Sequence, residues 1–172
     1  MSGGRAVKPR VLSRRERGPG GRPYVVISSC AGQGRATWSA VIASGVGRVE
    51  VDGEFREPCL SGVEAEVKAA ANALAVVAKR GGLADRPIVV LQVDNAAAIG
   101  AILASDARYF YSRGPDDAGP ARPTWVPAGC TAAVAKIREL IYAHSADLVL
   151  RRAGECPVPE HAINLPARGG QQ

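Results

Sequence analysis

Pro87-Ile88-Val89-Val90-Leu91-Gln92-Val93-Asp94 is the stretch on which the fold turns. After the proline, every residue up to Asp94 is aliphatic except Gln92. A strand with one wet face would alternate apolar and polar side chains. A near-continuous apolar run instead marks a strand covered on both faces, as in parallel sheets flanked by helices. Asp94 ends the run, and functional groups of open α/β sheets gather at the C-terminal ends of central strands. The competing reading makes Asp94 an N-cap for a short helix over Ala96 to Leu103, since aspartate caps helices well.

Upstream, the pattern changes. Tyr24-Val25-Val26-Ile27-Ser28 is a β-branched strand leading into a loop at Gly32 to Gly34. Thr37 to Ile42 forms a second strand, and Gly45 and Gly47 mark a turn. Val49-Glu50-Val51-Asp52-Gly53-Glu54-Phe55 alternates as a half-exposed third strand does. Ser61 followed three residues later by Glu64 is a capping box, and Val63, Val67, Ala70, Leu74 and Val77 then recur on one helical face. Gly81-Gly82 stops that helix.

Downstream, residues 105–128 form a long Gly- and Pro-rich loop carrying Tyr109, Phe110, Tyr111 and Trp125. A helix follows over about 130–143, with His144 at its end complementing the dipole. A fifth strand runs from Asp147 to Arg151, and a short final helix lies near 159–165. The order β-β-β-α-β-α-loop-α-β-α implies an α/β fold. It predicts a five-stranded mixed sheet, an antiparallel meander plus two parallel strands, with helices on both faces.

The chain has 172 residues, which favours one domain, and a formal net charge of +6. Residues 1–23 hold seven basic residues against one acidic, so this arm alone accounts for +6. The rest is balanced at fifteen of each. Boundaries are read as a basic arm over 1–23, a folded domain over 24–168 and a tail over 169–172. A basic arm on a neutral body favours contact with a polyanion, with Arg10, Arg14, Arg15 and Arg17 as candidate contacts. A solubilising tail is the plainer alternative. No apolar run approaches the ~20 residues of a membrane span, and the basic N-terminus lacks the apolar core of a signal peptide. The expectation is a cytoplasmic protein with no membrane partner. Cys30, Cys59, Cys130 and Cys156 lie outside zinc-ligand spacing and read as reduced, mostly buried thiols.

Two carboxylates stand out by placement. Asp94 ends the most buried strand. Glu66 sits beside the inward residues Val63 and Val67, where a carboxylate is unusual unless paired or metal-bound. Around them, three motifs accumulate in order. Ser61-Gly62-Val63-Glu64-Ala65-Glu66 is similar to the Thr-Asn-Asn-Arg-x-Glu helix start of the type 1 ribonuclease H family. Leu91-Gln92-Val93-Asp94-Asn95 is similar to that family's apolar strand ending in Thr-Asp-Ser. Pro159-Glu160-His161-Ala162-Ile163-Asn164-Leu165 resembles its final helix. The resemblance covers about residues 24–168 and implies a ribonuclease H-like fold.

The resemblance also implies cleavage of the RNA strand of RNA–DNA hybrids, by two Mg²⁺ or Mn²⁺ ions held among four carboxylates. Glu66 and Asp94 fall on two of the four and are the implied metal ligands. The other two positions fall on Ser28 (or Ser29 with a one-residue shift) and on Ile163. The family's catalytic-loop histidine is missing near Arg152 and Ala153. Glu160 is the candidate substitute carboxylate, while Glu64 and Asp52 have no assigned direction. Arg151 and Arg152, beside the site, could contact phosphate.

Three functions follow. The first is a ribonuclease H-like nucleic-acid-binding protein with an incomplete site and weak or absent hybrid cleavage. The second is an active metal-dependent hybrid ribonuclease with a rearranged site. The third is a non-catalytic protein-interaction module using the aromatic 107–127 loop.

Overall fold

The computed structural model of the protein describes residues 21–45, 47–112 and 125–152. Six strands form one sheet: β1 Tyr24–Ala31, β2 Thr37–Ser44, β3 Gly47–Glu54, β4 Ile88–Val93, β5 Phe110–Tyr111 and β6 Asp147–Arg152. Their spatial order is β3-β2-β1-β4-β6-β5. β1–β2 and β2–β3 pair antiparallel, while β1–β4, β4–β6 and β5–β6 are parallel. The meander and the two central parallel strands are as the sequence predicts. β5 is the correction, a sixth strand inside the presumed loop. Two residues carry no periodicity, so its pairing to Val149 and Leu150 leaves no local trace.

Every residue of β4 is buried. On one face, Val89, Leu91 and Val93 join the main core with Val25, Ile27 and Leu150. The helices α1 Gly62–Lys79, α2 Ala96–Ala104 and α3 Thr131–Ala143 all contribute to that same core. Ala65, Ala69, Ala70 and Ala73 are completely buried on α1. Such short side chains let the helix sit close to the sheet. Tyr24, Ile88, Val90 and Val149 form a smaller cluster on the opposite face. The helix anticipated at 159–165, the arm residues before Gly21 and the tail lie outside the described residues. None of the described helices is long and apolar enough to cross a membrane.

α1 starts as its sequence dictates. The Ser61 hydroxyl accepts from the Glu64 N–H at 3.1 Å. The Glu64 carboxylate reaches past Ser61 and accepts from the Leu60 N–H at 3.1 Å. At the start of β1, Arg22 forms an ion pair with Asp147, and the Pro23 carbonyl accepts from the Ile88 N–H at 2.9 Å. Arg22 and Pro23 are thus tied to β6 and β4. Tyr109 is buried in the core, so it does not line an exposed aromatic loop, whereas Phe110 and Trp125 are exposed.

Candidate functional site

Because β1, β4 and β6 are parallel, their C-terminal ends meet at one edge of the sheet. Side chains alternate between faces along β1. Val25 and Ile27 pack with α1, whereas Tyr24 and Val26 belong to the opposite face. The next residue on the α1 side is therefore Ser29, not Ser28. Ser28 lies on the other face, opposite Val41 of β2 and Gln92 of β4. Of the two serines, Ser29 is thus the one on the α1 side of the sheet. Its side chain is 3% exposed, and its hydroxyl has no hydrogen-bond partner among the described residues.

Glu66 projects from the first turns of α1 toward the same strand end. One carboxylate oxygen, Oε1, accepts from the Ala31 N–H at 3.2 Å. The other, Oε2, is buried with no partner among the described residues. Burial pushes the Glu66 carboxyl above the usual glutamate range; the Ala31 N–H opposes the rise and the charge of Asp94 adds to it. Glu66, near the start of α1, and Asp94, just after β4, stand at the same end of the sheet.

Asp94 is exposed and makes no hydrogen bond or ion pair among the described residues. The capping role passes to its neighbour. Asn95 Oδ1 accepts from Ala97 N at 2.9 Å and Ala98 N at 3.1 Å. The structural alternative for Asp94 thereby fails, and its carboxylate is left pointing at no partner.

The other carboxylates separate cleanly. Glu64 is held by Lys68 at 2.6 Å, and that hydrogen bond is the chief reason its carboxyl sits below the usual range. Asp52 lies on β3, two strands from β1, and is exposed. Arg151 and Arg152 pair with Gln92 and Val93, so they reach the same sheet end as Asp94. Ile163, Glu160, Arg10, Arg14, Arg15 and Arg17 lie outside the described residues. Of the described cysteines, Cys59 and Cys130 are buried and Cys30 is exposed.

Mg²⁺ or Mn²⁺ would ask this edge for several anionic oxygens. Among the described residues no group of three or more His, Cys, Asp or Glu side chains converges. Glu66, Asp94 and the neutral Ser29 hydroxyl offset one divalent charge and no more. These residues do not fit a pair of divalent ions.

Some features had no sequence signal. Nothing in Ser28-Ser29 says which hydroxyl turns inward. A second group lies at the far end of the sheet, where Asp106, Arg108, Arg138 and Tyr142 come together from two separate segments.

No family model and no curated protein sequence matches this chain. Solved structures do. A ribonuclease H1 designated LC11, solved in complex with an RNA/DNA hybrid, is similar over 76% of this chain and 86% of its own, with 13% identity and a TM-score of 0.56. The N-terminal ribonuclease H domain of Rv2228c from Mycobacterium tuberculosis is similar over 77% of this chain and 84% of its own, with 13% identity and a TM-score of 0.51. At that identity the likeness speaks for architecture alone: the chain has the ribonuclease H-like fold.

Proposed function

We propose that this protein binds nucleic acid, an RNA–DNA hybrid or a duplex, and cleaves it weakly or not at all. The observation that carries the reading is Ser29. A neutral hydroxyl occupies the inward position at the end of β1, beside Glu66 and near Asp94. By the resemblance drawn from the sequence, an aspartate belongs there. Two carboxylates do not balance two divalent ions and a scissile phosphate, so hydrolysis on a metal pair loses its main electrostatic support. Glu66 keeps an acceptor role toward Ala31, and Asp94 presents its charge to solvent.

The test is a binding and cleavage assay on labelled RNA–DNA hybrid with Mg²⁺ or Mn²⁺. The expected result is binding at low salt, with trace cleavage at most. Multiple-turnover cleavage by the wild type that Asp94→Asn abolishes would overturn it.

That result would support the second reading, an active hybrid ribonuclease with a rearranged site in which Glu160 supplies a third carboxylate. One observation favours it. Ser29 Oγ and Glu66 Oε2 are both buried without partners at the same strand end. Orphaned oxygens of that kind are where a cation would sit.

A further inference from the structure

The charges of the folded body are sorted by end. Each strand entering from the start of β1, β4 or β6 runs toward Asp94, and α1 and α3 run back. Side chains far apart in sequence therefore collect at the end away from the carboxylates. Arg22, Lys79, Arg80 and Arg86 lie there with Arg108 and Arg138, against Asp85, Asp106 and Asp147. Six basic residues against three acidic ones give +3. Setting aside the mutually paired Arg48 and Glu50 on β3 and Lys136 and Glu139 on α3, the rest of the described body has five basic residues against six acidic, or −1. Residues 1–20 add six basic against one acidic, +5, and join the body at this same end through Gly21 and Arg22.

Part of this surface is held in place. The Asp106 side chain is 7% exposed. It accepts from Tyr142 Oη at 2.5 Å, from the Arg108 backbone N–H at 2.9 Å and from Arg108 Nη2 at 3.2 Å. The Arg108 and Arg138 guanidinium groups lie over the Tyr142 ring at 4.1 and 5.3 Å from its centre. Yet Arg108 and Arg138 remain 65% and 54% exposed. Fixed guanidinium groups lose little conformational freedom on meeting phosphate, which favours them over mobile cations. Arg80 and Arg86 are exposed at the same end of the sheet, and their side chains form no ion pair among the described residues.

We infer that nucleic acid docks by its phosphate backbone on the end of the sheet opposite Glu66 and Asp94, through Arg80, Arg86, Arg108 and Arg138. The inference rests on the reading that the ligand is nucleic acid. At ~3.3 Å per residue, the eight-residue β1 puts this surface roughly 25 Å from the carboxylates. Six strands make it about 24 Å wide, a span that faces on the order of a dozen duplex phosphate charges. The field steers a polyanion here, because the other end carries the opposite sign.

The experiment uses the full chain and fluorescence anisotropy of a labelled RNA–DNA hybrid across a salt series. Each phosphate contact contributes about 0.9 to the slope of log affinity against log salt. Arg80→Gln with Arg86→Gln is expected to flatten the slope by about 1.8, as is Arg108→Gln with Arg138→Gln. Arg151→Gln with Arg152→Gln is expected to leave it unchanged. The side chains of the first pair hold no other part of the fold, so that pair decides the matter should the second perturb folding. A wild-type chain that binds, with a slope moved only by the Arg151 and Arg152 pair or by none of the three, overturns this inference and leaves the nucleic-acid reading intact. A wild-type chain that binds neither hybrid nor duplex at low salt overturns both.

Discussion

Ser29 allows one experiment in two directions. Alanine removes a buried hydroxyl that has no partner among the described residues. A buried unsatisfied hydroxyl costs about 1–3 kcal/mol, while the dispersion attraction of a single oxygen atom is worth less than about 1 kcal/mol. Ser29→Ala should therefore stabilise the domain by about 1 kcal/mol, a rise in midpoint of about 2–4 °C at this chain length. Aspartate does the reverse. It adds a third carboxylate beside Glu66, whose Oε2 already lacks a partner. An uncompensated buried charge costs about 3–5 kcal/mol. A divalent cation bound among the three would restore about 2.7 kcal/mol at a hundred times its dissociation constant. Differential scanning calorimetry with and without Mg²⁺ reads all of this. The midpoint of Ser29→Asp should fall in chelator and rise by several degrees in Mg²⁺, while Ser29→Ala stays indifferent to the ion. A Ser29→Ala midpoint several degrees below wild type would mean that the hydroxyl has a partner. A Ser29→Asp midpoint indifferent to Mg²⁺ would mean that residue 29 does not face Glu66.

Three other perturbations test neighbouring features. Asn95→Ala removes the cap of α2 and should cost about 1 kcal/mol in chemical denaturation, whereas Asp94→Asn should cost nothing measurable. Glu66→Gln, followed in chelator, should gain over wild type as pH climbs. The folded Glu66 carboxyl titrates above its unfolded value, so its contribution is whole below about pH 4.3 and is lost as pH rises through the folded value. Equal wild-type and Glu66→Gln stability from pH 4 to pH 7 would contradict the buried placement of that carboxyl. Gly53 faces Trp38 across β2 and β3, and an added Cβ would lie 2.8 Å from the buried indole Nε1. Gly53→Ala should cost about 1–3 kcal/mol and shift the tryptophan emission; unchanged emission would place the indole elsewhere.

The elements most legible in the sequence were those whose signal is local. The aliphatic run of β4 could only be a strand covered on both faces. Ser61 and Glu64 announced the start of α1, and both side chains do cap it. What the sequence hid was set by pairing at a distance. Tyr24 to Ile27 are all apolar, so nothing in them says which parity faces α1. The sheet partners decide that, and with it whether Ser28 or Ser29 turns toward Glu66. Asp94 and Asn95 are equally good caps in isolation, and only the geometry of the α2 entry gives the role to Asn95. β5 exists because β6 offers it an edge. Arg80 and Arg138 lie 58 positions apart in the chain, and they share a surface only because α1 and α3 both run back from the carboxylate end.

The carboxylate end and the basic end answer the same electrostatic problem from two sides. Several carboxylates converging on one strand edge repel one another, and each raises the next one's pKa unless a cation lies between them. Here that repulsion is cut down in three ways. Ser29 is neutral, Asp94 is turned to solvent, and Glu66 has the Ala31 N–H for one oxygen. The sheet end can then stand on its own residues, at a balance of −1. One divalent cation would already make that end attract phosphate. Without it, a phosphate backbone approaching this end meets net negative charge, while the far end offers +3 and is the end from which residues 1–20, with a formal charge of +5, depart. If the ligand is nucleic acid, the neutral side chain at residue 29 and the sorting of arginines to the opposite pole both favour docking by the end away from Glu66 and Asp94. Ser29→Asp sharpens this further. It drives the carboxylate end to −2, so hybrid affinity should be unchanged if docking is at the basic pole, and should become Mg²⁺-dependent if the backbone lies across Glu66 and Asp94.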